Sequence, residues 1–224
     1  MQGALDDGLV RREELFLQTK FTHRAGQDHR LPYDPYAAPG VQVRQSLASS
    51  LEHLRVEELD SYVLHGPSTR HGFGGYDVEV WRAMEELAGE GKTRSLGISN
   101  VALDQLEELL GLARVRPAFV QNRCYARSGW DQAVRALCRE HGIVYQGFSL
   151  LTANAGELHH PDVRRLAAST GRTIAQLVFR FAIQIGMLPL TGTTDPAHMR
   201  EDLGALDFTL SEDEVALVET IGVR

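Results

Sequence analysis

The stretch DSYVLHGPST, residues 60–69, decides how the chain reads. Tyr62, Val63 and Leu64 form an apolar run without alternation, the pattern of a strand covered on both faces. The run ends on His65, and Gly66-Pro67 then turns the chain. One histidine in such a place is ordinarily a core residue satisfied by a backbone carbonyl. The rest of the chain changes that reading.

Working outward, similar runs recur: LFLQTKF (15–21), RSLGISN (94–100), PAFVQN (117–122), IVYQGFS (143–149) and MLPLTGT (187–193). Helical patterns lie between them. Leu47, Leu51 and Leu54 share a face, as do Val80, Met84 and Leu87 within 77–88, where Asp77 is a candidate N-cap and Gly89 and Gly91 stand near the end. Leu103, Leu106 and Leu110 repeat the spacing, then Val134, Leu137 and Cys138, then Ile174, Leu177, Val178 and Phe181. Ser211 and Glu214 predict a capping box before the last apolar run. Strands alternating with helices predict βαβ units around a parallel sheet. No G-x-G-x-x-G turn or Walker loop follows any strand. Segments 22–40 and 66–76, rich in Gly, Pro, Asp and His, are the long irregular connections, the kind that carry function or move.

Each predicted strand ends on polar groups: Lys20; His65; Ser99 and Asn100; Gln121 and Asn122; Ser149; Thr191, Thr193 and Thr194. In a (β/α) barrel that rim is where chemistry is built. A lysine and a histidine together polarise a carbonyl oxygen. Ser, Asn and Gln at neighbouring strand ends suit a flat amide, and Phe148 offers a face for a flat ring. Together these suggest nicotinamide chemistry. Plainer readings exist for single residues: Asn100 as a helix cap, Phe148 as core.

Composition sets the outer bounds. The 224 residues are 43% hydrophobic and 24% charged with net charge -7, ordinary for a globular domain. No basic stripe suggests nucleic acid, and no apolar run is long enough to span a membrane. The opening residues do not read as a secretory leader. Cys124 and Cys138 fit neither a disulfide framework nor a zinc spacing. They read as buried thiols in a cytoplasmic protein without a metal.

The segments EELFLQTKF, LDSYVLHGP, GKTRSLGISN, FVQN, YQGFSLLT and LPLTGTTDPAHMREDL, in that order and spacing, resemble the aldo-keto reductase family over essentially the whole chain. The resemblance implies a TIM barrel, one domain over residues 1–224, which binds NADPH in extended form and reduces aldehydes or ketones to alcohols by hydride transfer. It implies that Lys20 and His65 are catalytic and that Ser99, Asn100 and Gln121 hold the nicotinamide carboxamide. Phe148 falls where the family usually stacks a tyrosine. Ser149 and Leu151 match the pyrophosphate stretch, and Gly192, Thr193, Thr194, His198, Glu201 and Asp202 match the segment around the adenosine 2'-phosphate and adenine. Many members have lysine where Gly192 stands and arginine where His198 stands. Both of those bind the 2'-phosphate, so their absence here weakens a strict NADP preference; the cofactor implied by the resemblance is NADP, with NAD as the alternative. Thr193, Thr194 and the amide groups after Asp195 remain as phosphate ligands, with Arg200 a nearby cation.

The start MQGALDDGLVRREELF reads as the helix before the Lys20 strand. The family's catalytic aspartate and tyrosine, which precede that strand, find no counterpart. The expectation is an incomplete barrel of about six of the eight strands, lacking the amino-terminal segment, with low or absent activity and open edges that invite self-association. Tyr33 and Tyr36 match no motif and take no catalytic role. The implied partner is a small carbonyl substrate, not nucleic acid or a membrane. The alternative is a non-catalytic NADP-binding redox sensor or partner-docking module.

Overall fold

The computed structural model describes residues 2–28 and 30–223. Helix α1 (Gln2–Asp6) precedes strand β1 (Gln18–Phe21), followed by α2 (Pro39–Leu54), β2 (Ser61–Leu64), α3 (Gly75–Gly89), β3 (Leu96–Ser99), α4 (Leu103–Leu112) and β4 (Phe119–Arg123). Then come α5 (Gln132–Glu140), β5 (Val144–Phe148), α6 (Ala155–Leu158), α7 (Pro161–Thr170), α8 (Ile174–Gln184), β6 (Met187–Leu190), α9 (Pro196–Leu203) and α10 (Glu212–Thr220). The six strands form one parallel α/β sheet in chain order, β1-β2-β3-β4-β5-β6. That order is linear and unclosed, the topology of an incomplete (β/α) barrel. The chain divides into two compact units within β4, Met1–Val120 and Gln121–Arg224.

In the first unit every residue of β2 and β3 is buried, which explains their unbroken apolar character. Strand β1 is shorter than the LFLQTKF run. Leu17 is held by a side chain, its N–H donating to Asp60 Oδ2 at 2.7 Å. Gly97, in mid-β3, has no room for a side chain: a Cβ would stand 3.0 Å from the Phe119 carbonyl oxygen and 3.0 Å from Val63. Helix α2 starts on Pro39, where a missing N–H costs nothing. It packs on α3 through Val43, Leu47, Val80, Trp81 and Met84, all buried. Arg44 of α2 forks onto Glu86 at 2.7 Å and Glu90 at 2.8 Å of α3.

Asp77 is not the cap of α3. The helix is capped at Gly74, and Asp77 lies in its first turn, fully buried. Its Oδ1 accepts the Ser68 N–H at 2.8 Å, which ties down the preceding loop. The capping box of α10 forms as the spacing predicts. Glu214 N donates to Ser211 Oγ at 3.3 Å and Ser211 N donates to Glu214 Oε2 at 2.7 Å.

The second unit is organised around an unusual turn. Gly129, Trp130 and Asp131 all have positive φ, at 67°, 54° and 59°. Two non-glycine residues in that region cost free energy that packing must offset. Trp130 is fully buried, its ring 5.2 Å from Phe181 and its indole N–H donating to the Val218 carbonyl at 3.0 Å. Arg135 donates to the Trp130 carbonyl at 2.8 Å and pairs with Glu219 at 2.8 Å. The turn thus anchors α10.

Candidate active site

The rim of the first unit follows from strand register. Phe21 stands opposite Leu64, and His65 N donates to the Phe21 carbonyl at 2.8 Å. The next residues, Thr22 and His65, therefore face one another. Side chains alternate along a strand, so Lys20 and Thr22 share a side. Thr22 Oγ1 lies 2.9 Å from His65 Nδ1. Asn100, at φ 50°, turns back from the end of β3 and donates to the His65 carbonyl at 2.8 Å and to Ser99 Oγ at 3.1 Å. That left-handed conformation suits asparagine better than most residues. Asn100 is thus not the cap of α4, whose first residue is Leu103.

Lys20 and His65 are both half-buried. Burial lowers the Lys20 pKa. Burial also lowers that of His65, helped by the positive charges of Lys20 and His23. Desolvation disfavours the charged form of each. Among the described residues no carboxylate pairs with Lys20. Tyr33 is buried against Phe21 with ring centroids 5.6 Å apart, and its hydroxyl donates to the Thr22 carbonyl at 2.7 Å. Tyr36 is exposed under the Arg24 guanidinium. Both are packing or surface residues, as their lack of a motif implies.

In the second unit, Gln121 is buried and its amide donates to Gln146 Oε1 at 2.9 Å. Asn122 donates to Asp131 at 2.8 Å, and Tyr145 donates to the same oxygen at 2.7 Å. Phe148 ends β5 half-buried. Ser149 follows at φ 57°. The strained turn there is held by Asn154, a residue that spacing alone does not single out. Asn154 is fully buried and donates to the Leu150 carbonyl at 2.8 Å and the Cys124 carbonyl at 3.0 Å, while accepting the Ala126 N–H at 2.7 Å.

Two adjoining clefts follow. One, of about 280 Å³, runs over Ser149, Leu151 and Gly192. The other, of about 290 Å³, is lined by Leu151, Gly192, Thr193, His198, Glu201 and Asp202. The two share Leu151, Thr191 and Gly192. A Cβ on Gly192 would meet nothing within 4 Å, so the groove stays open there. Thr194 is exposed and lines neither cleft. Asp195 caps α9, accepting the Ala197 N–H at 2.7 Å, and His198 lies 3.9 Å from its carboxylate. Asp202 accepts the Thr191 hydroxyl at 3.1 Å. The two clefts adjoin along Thr191 and Gly192, with Thr193, His198, Glu201 and Asp202 as further polar lining of one of them. That cleft, with Asp195, Glu201 and Asp202 around one histidine, is acidic.

Residues 1–222 match the model of the aldo/keto reductase family. The chain belongs to that family. An aldo-keto reductase of Mycolicibacterium vanbaalenii is 30% identical over 210 residues, covering 94% of this chain and 69% of the relative. Aldo-keto reductase family 1 member A1 of Xenopus tropicalis is 27% identical over 237 residues, 95% of this chain and 68% of that protein. The NAD(P)H-dependent 6'-deoxychalcone synthase of Glycine max is 29% identical, covering 96% of this chain and 69% of its own. The crystal structure of an aldo/keto reductase from Brucella melitensis superposes with a TM-score of 0.81 at 23% identity, over 98% of this chain and 77% of the other. Aldo-keto reductases are NAD(P)H-dependent oxidoreductases of carbonyl groups, and this chain carries their fold. Among the described residues, no helix is long and apolar enough to cross a membrane.

Proposed function

We propose that this chain binds NADP(H), with NAD(H) as the alternative, and reduces aldehydes or ketones to alcohols. The observation that carries the reading is the Lys20–His65 pair. The two come from adjacent strand ends and are half-buried, and the His65 ring is tied to Thr22. The bound cofactor supplies a hydride to the carbonyl carbon. The chain's residues act on the oxygen. The neutral His65 ring donates a hydrogen bond that orients it, and the Lys20 ammonium stabilises the negative charge that grows on it. In the first unit Ser99 and Asn100 are the residues assigned to the nicotinamide carboxamide; in the second, Gln121 takes the same assignment and Phe148 would face the ring. Ser149 and Leu151 receive the pyrophosphate. Gly192, Thr193, Thr194, His198, Glu201 and Asp202 surround the adenosine end.

A proton must reach the oxygen as hydride arrives. Tyr33 spends its hydroxyl on the Thr22 carbonyl; the Lys20 ammonium is the group we assign to give the proton, regaining it from solvent. A positioned proton donor is worth about 10²–10⁴ in rate, so turnover by Lys20 and His65 alone is slow. The second reading is a module that binds NADP without turnover and senses redox state or docks on a partner. In either reading the chain acts in the cytoplasm, where its thiols stay reduced. Its partner is a small carbonyl compound, with no nucleic acid or membrane, and open sheet edges promote self-association.

The test is NADPH and NADH titration of the purified chain by cofactor fluorescence, with gel filtration alongside and a generic aldehyde assay after it. Micromolar binding with slow turnover that disappears in His65→Ala supports the reductase. Binding without turnover supports the sensor. Absence of binding in a well-defined species sinks both.

A further inference from the structure

We propose that Thr22 is a positioning residue that fixes the tautomer of His65, holding the imidazole with its proton on Nε2. This rests on the carbonyl-reducing role of His65 proposed above.

The geometry begins with Thr22, a residue nine-tenths buried whose hydroxyl lies 2.9 Å from His65 Nδ1. Among the described residues that ring nitrogen is the hydrogen-bond partner Oγ1 has. If Nδ1 carried the ring proton and donated to Oγ1, the hydroxyl proton would have no partner among the described residues. If the hydroxyl donates to Nδ1, both groups are satisfied. A buried donor left unpaired is the costly outcome, so the second arrangement wins. Nδ1 is then the acceptor and Nε2 carries the hydrogen. The second nitrogen of a neutral imidazole is set by what the first one bonds.

The hydroxyl is itself aimed. Threonine is β-branched and stiff about χ1. Its methyl lies close over Gly26, where an added Cβ would stand 3.0 Å from Thr22 Cγ2. Its carbonyl is held by Tyr33 at 2.7 Å. The His65 backbone is held on both sides, by Phe21 at its N–H and by Asn100 at its carbonyl. Ring and hydroxyl thus meet with little freedom. The consequence for reactivity is definite. An Nε2–H presents a donor to a carbonyl oxygen and cannot act as a base at that nitrogen. The same site with the opposite tautomer would repel a carbonyl. Lys20 and His23 are the charged or titratable groups that act on the ring, and both disfavour a second ring proton.

The test is long-range ¹H–¹⁵N correlation of the imidazole nitrogens in ¹⁵N-histidine-labelled full chain, with His65 assigned by its loss in His65→Ala. The expected wild-type spectrum shows one tautomer, with a pyrrole-type Nε2 and a hydrogen-bonded pyridine-type Nδ1. In Thr22→Val, which keeps shape and removes the hydroxyl, Nδ1 should move to the position of an unbonded nitrogen. Both ring signals should shift towards tautomer averaging. Thr22→Ser should restore the wild-type pattern. A proton on Nδ1 in the wild type, or His65 signals indifferent to Thr22→Val, overturns the proposal. The wild-type spectrum alone decides the tautomer should the valine variant fail to fold. The readout needs no turnover, so the two ideas fail separately. One fixed tautomer without cofactor binding would overturn the reductase reading alone. Turnover with a mixed tautomer would overturn the role of Thr22 alone.

Discussion

Replacing Asn154 by alanine should destabilise the second unit far more than its small change in apolar area suggests. The side chain is fully buried and closes three contacts to main chain: the Ala126 N–H and the carbonyls of Cys124 and Leu150. Removing it strands one donor and two acceptors in a place water does not reach. Each orphaned group costs roughly 1–3 kcal/mol. Carbonyls tolerate loss better than N–H groups, so the sum falls at about 3–5 kcal/mol. Urea unfolding followed by far-UV circular dichroism measures it as a drop in midpoint at constant slope. Asn154→Asp keeps one acceptor for the Ala126 N–H but sets a carboxylate against two carbonyls, so it should fare no better than alanine. An alanine variant within 1 kcal/mol of wild type would refute the idea that this amide is the post holding the turn after β5. If the turn relaxes instead, the Ser149–Leu151 side of the groove goes with it, and NADPH affinity should fall in the fraction that remains folded.

Other outcomes follow from the same geometry. The His65 imidazole should titrate below the ordinary histidine value of about 6.5. Lys20→Met should move its midpoint upward by removing one positive charge that opposes protonation; an unmoved midpoint in an NMR titration would mean that the ring does not feel Lys20. With a folded value below the unfolded one, the neutral ring stabilises the fold at high pH. That contribution is lost as pH falls from the unfolded value towards the folded one. Gly222→Ala should cost about 2–3 kcal/mol, because the new Cβ would sit 2.2 Å from the Ala126 carbonyl carbon and 2.4 Å from the Arg127 nitrogen. Backbone cannot give way there; an unchanged melting temperature would argue against the docking of the last turn. His198→Arg should raise NADPH affinity relative to NADH, by roughly tenfold, in parallel fluorescence titrations. An unchanged ratio would show that the 2'-phosphate lies elsewhere.

The sequence makes the rim residues readable because strand ends and their polar caps are local patterns. His65 after Tyr62-Val63-Leu64, Ser99 and Asn100 after Leu96-Gly97-Ile98, and Ser149 after Phe148 all stand where alternation and turn residues put them. The limits of the strands were less legible. LFLQTKF opens on three apolar residues and so reads as strand from Leu15, yet β1 begins at Gln18. Leu17 is claimed by the Asp60 carboxylate, a partner 43 residues away. Asp77 has the chemistry of a cap, but its oxygen is spent on Ser68. Thr22 and Asn154 carry much of the site's geometry while sitting in unremarkable strings, THRAG and LTANAG. Their importance lies in what the fold brings opposite them, which no spacing rule encodes. The left-handed run Gly129 to Asp131 is hidden for the same reason, since Trp130 and Asp131 are not residues that announce such a backbone.

Cys124 and Cys138 are both buried in the second unit, and the first unit carries no cysteine. Burial pushes each thiol up to about 12, so neither reacts as thiolate while its surroundings stay closed. An alkylating reagent added to the native chain therefore works as a clock for one unit. The rate at which it labels records how often residues around β4 and α5 open to solvent. Run beside hydrogen exchange over the whole chain, that clock tells whether Gln121–Arg224 opens by itself or only when everything does.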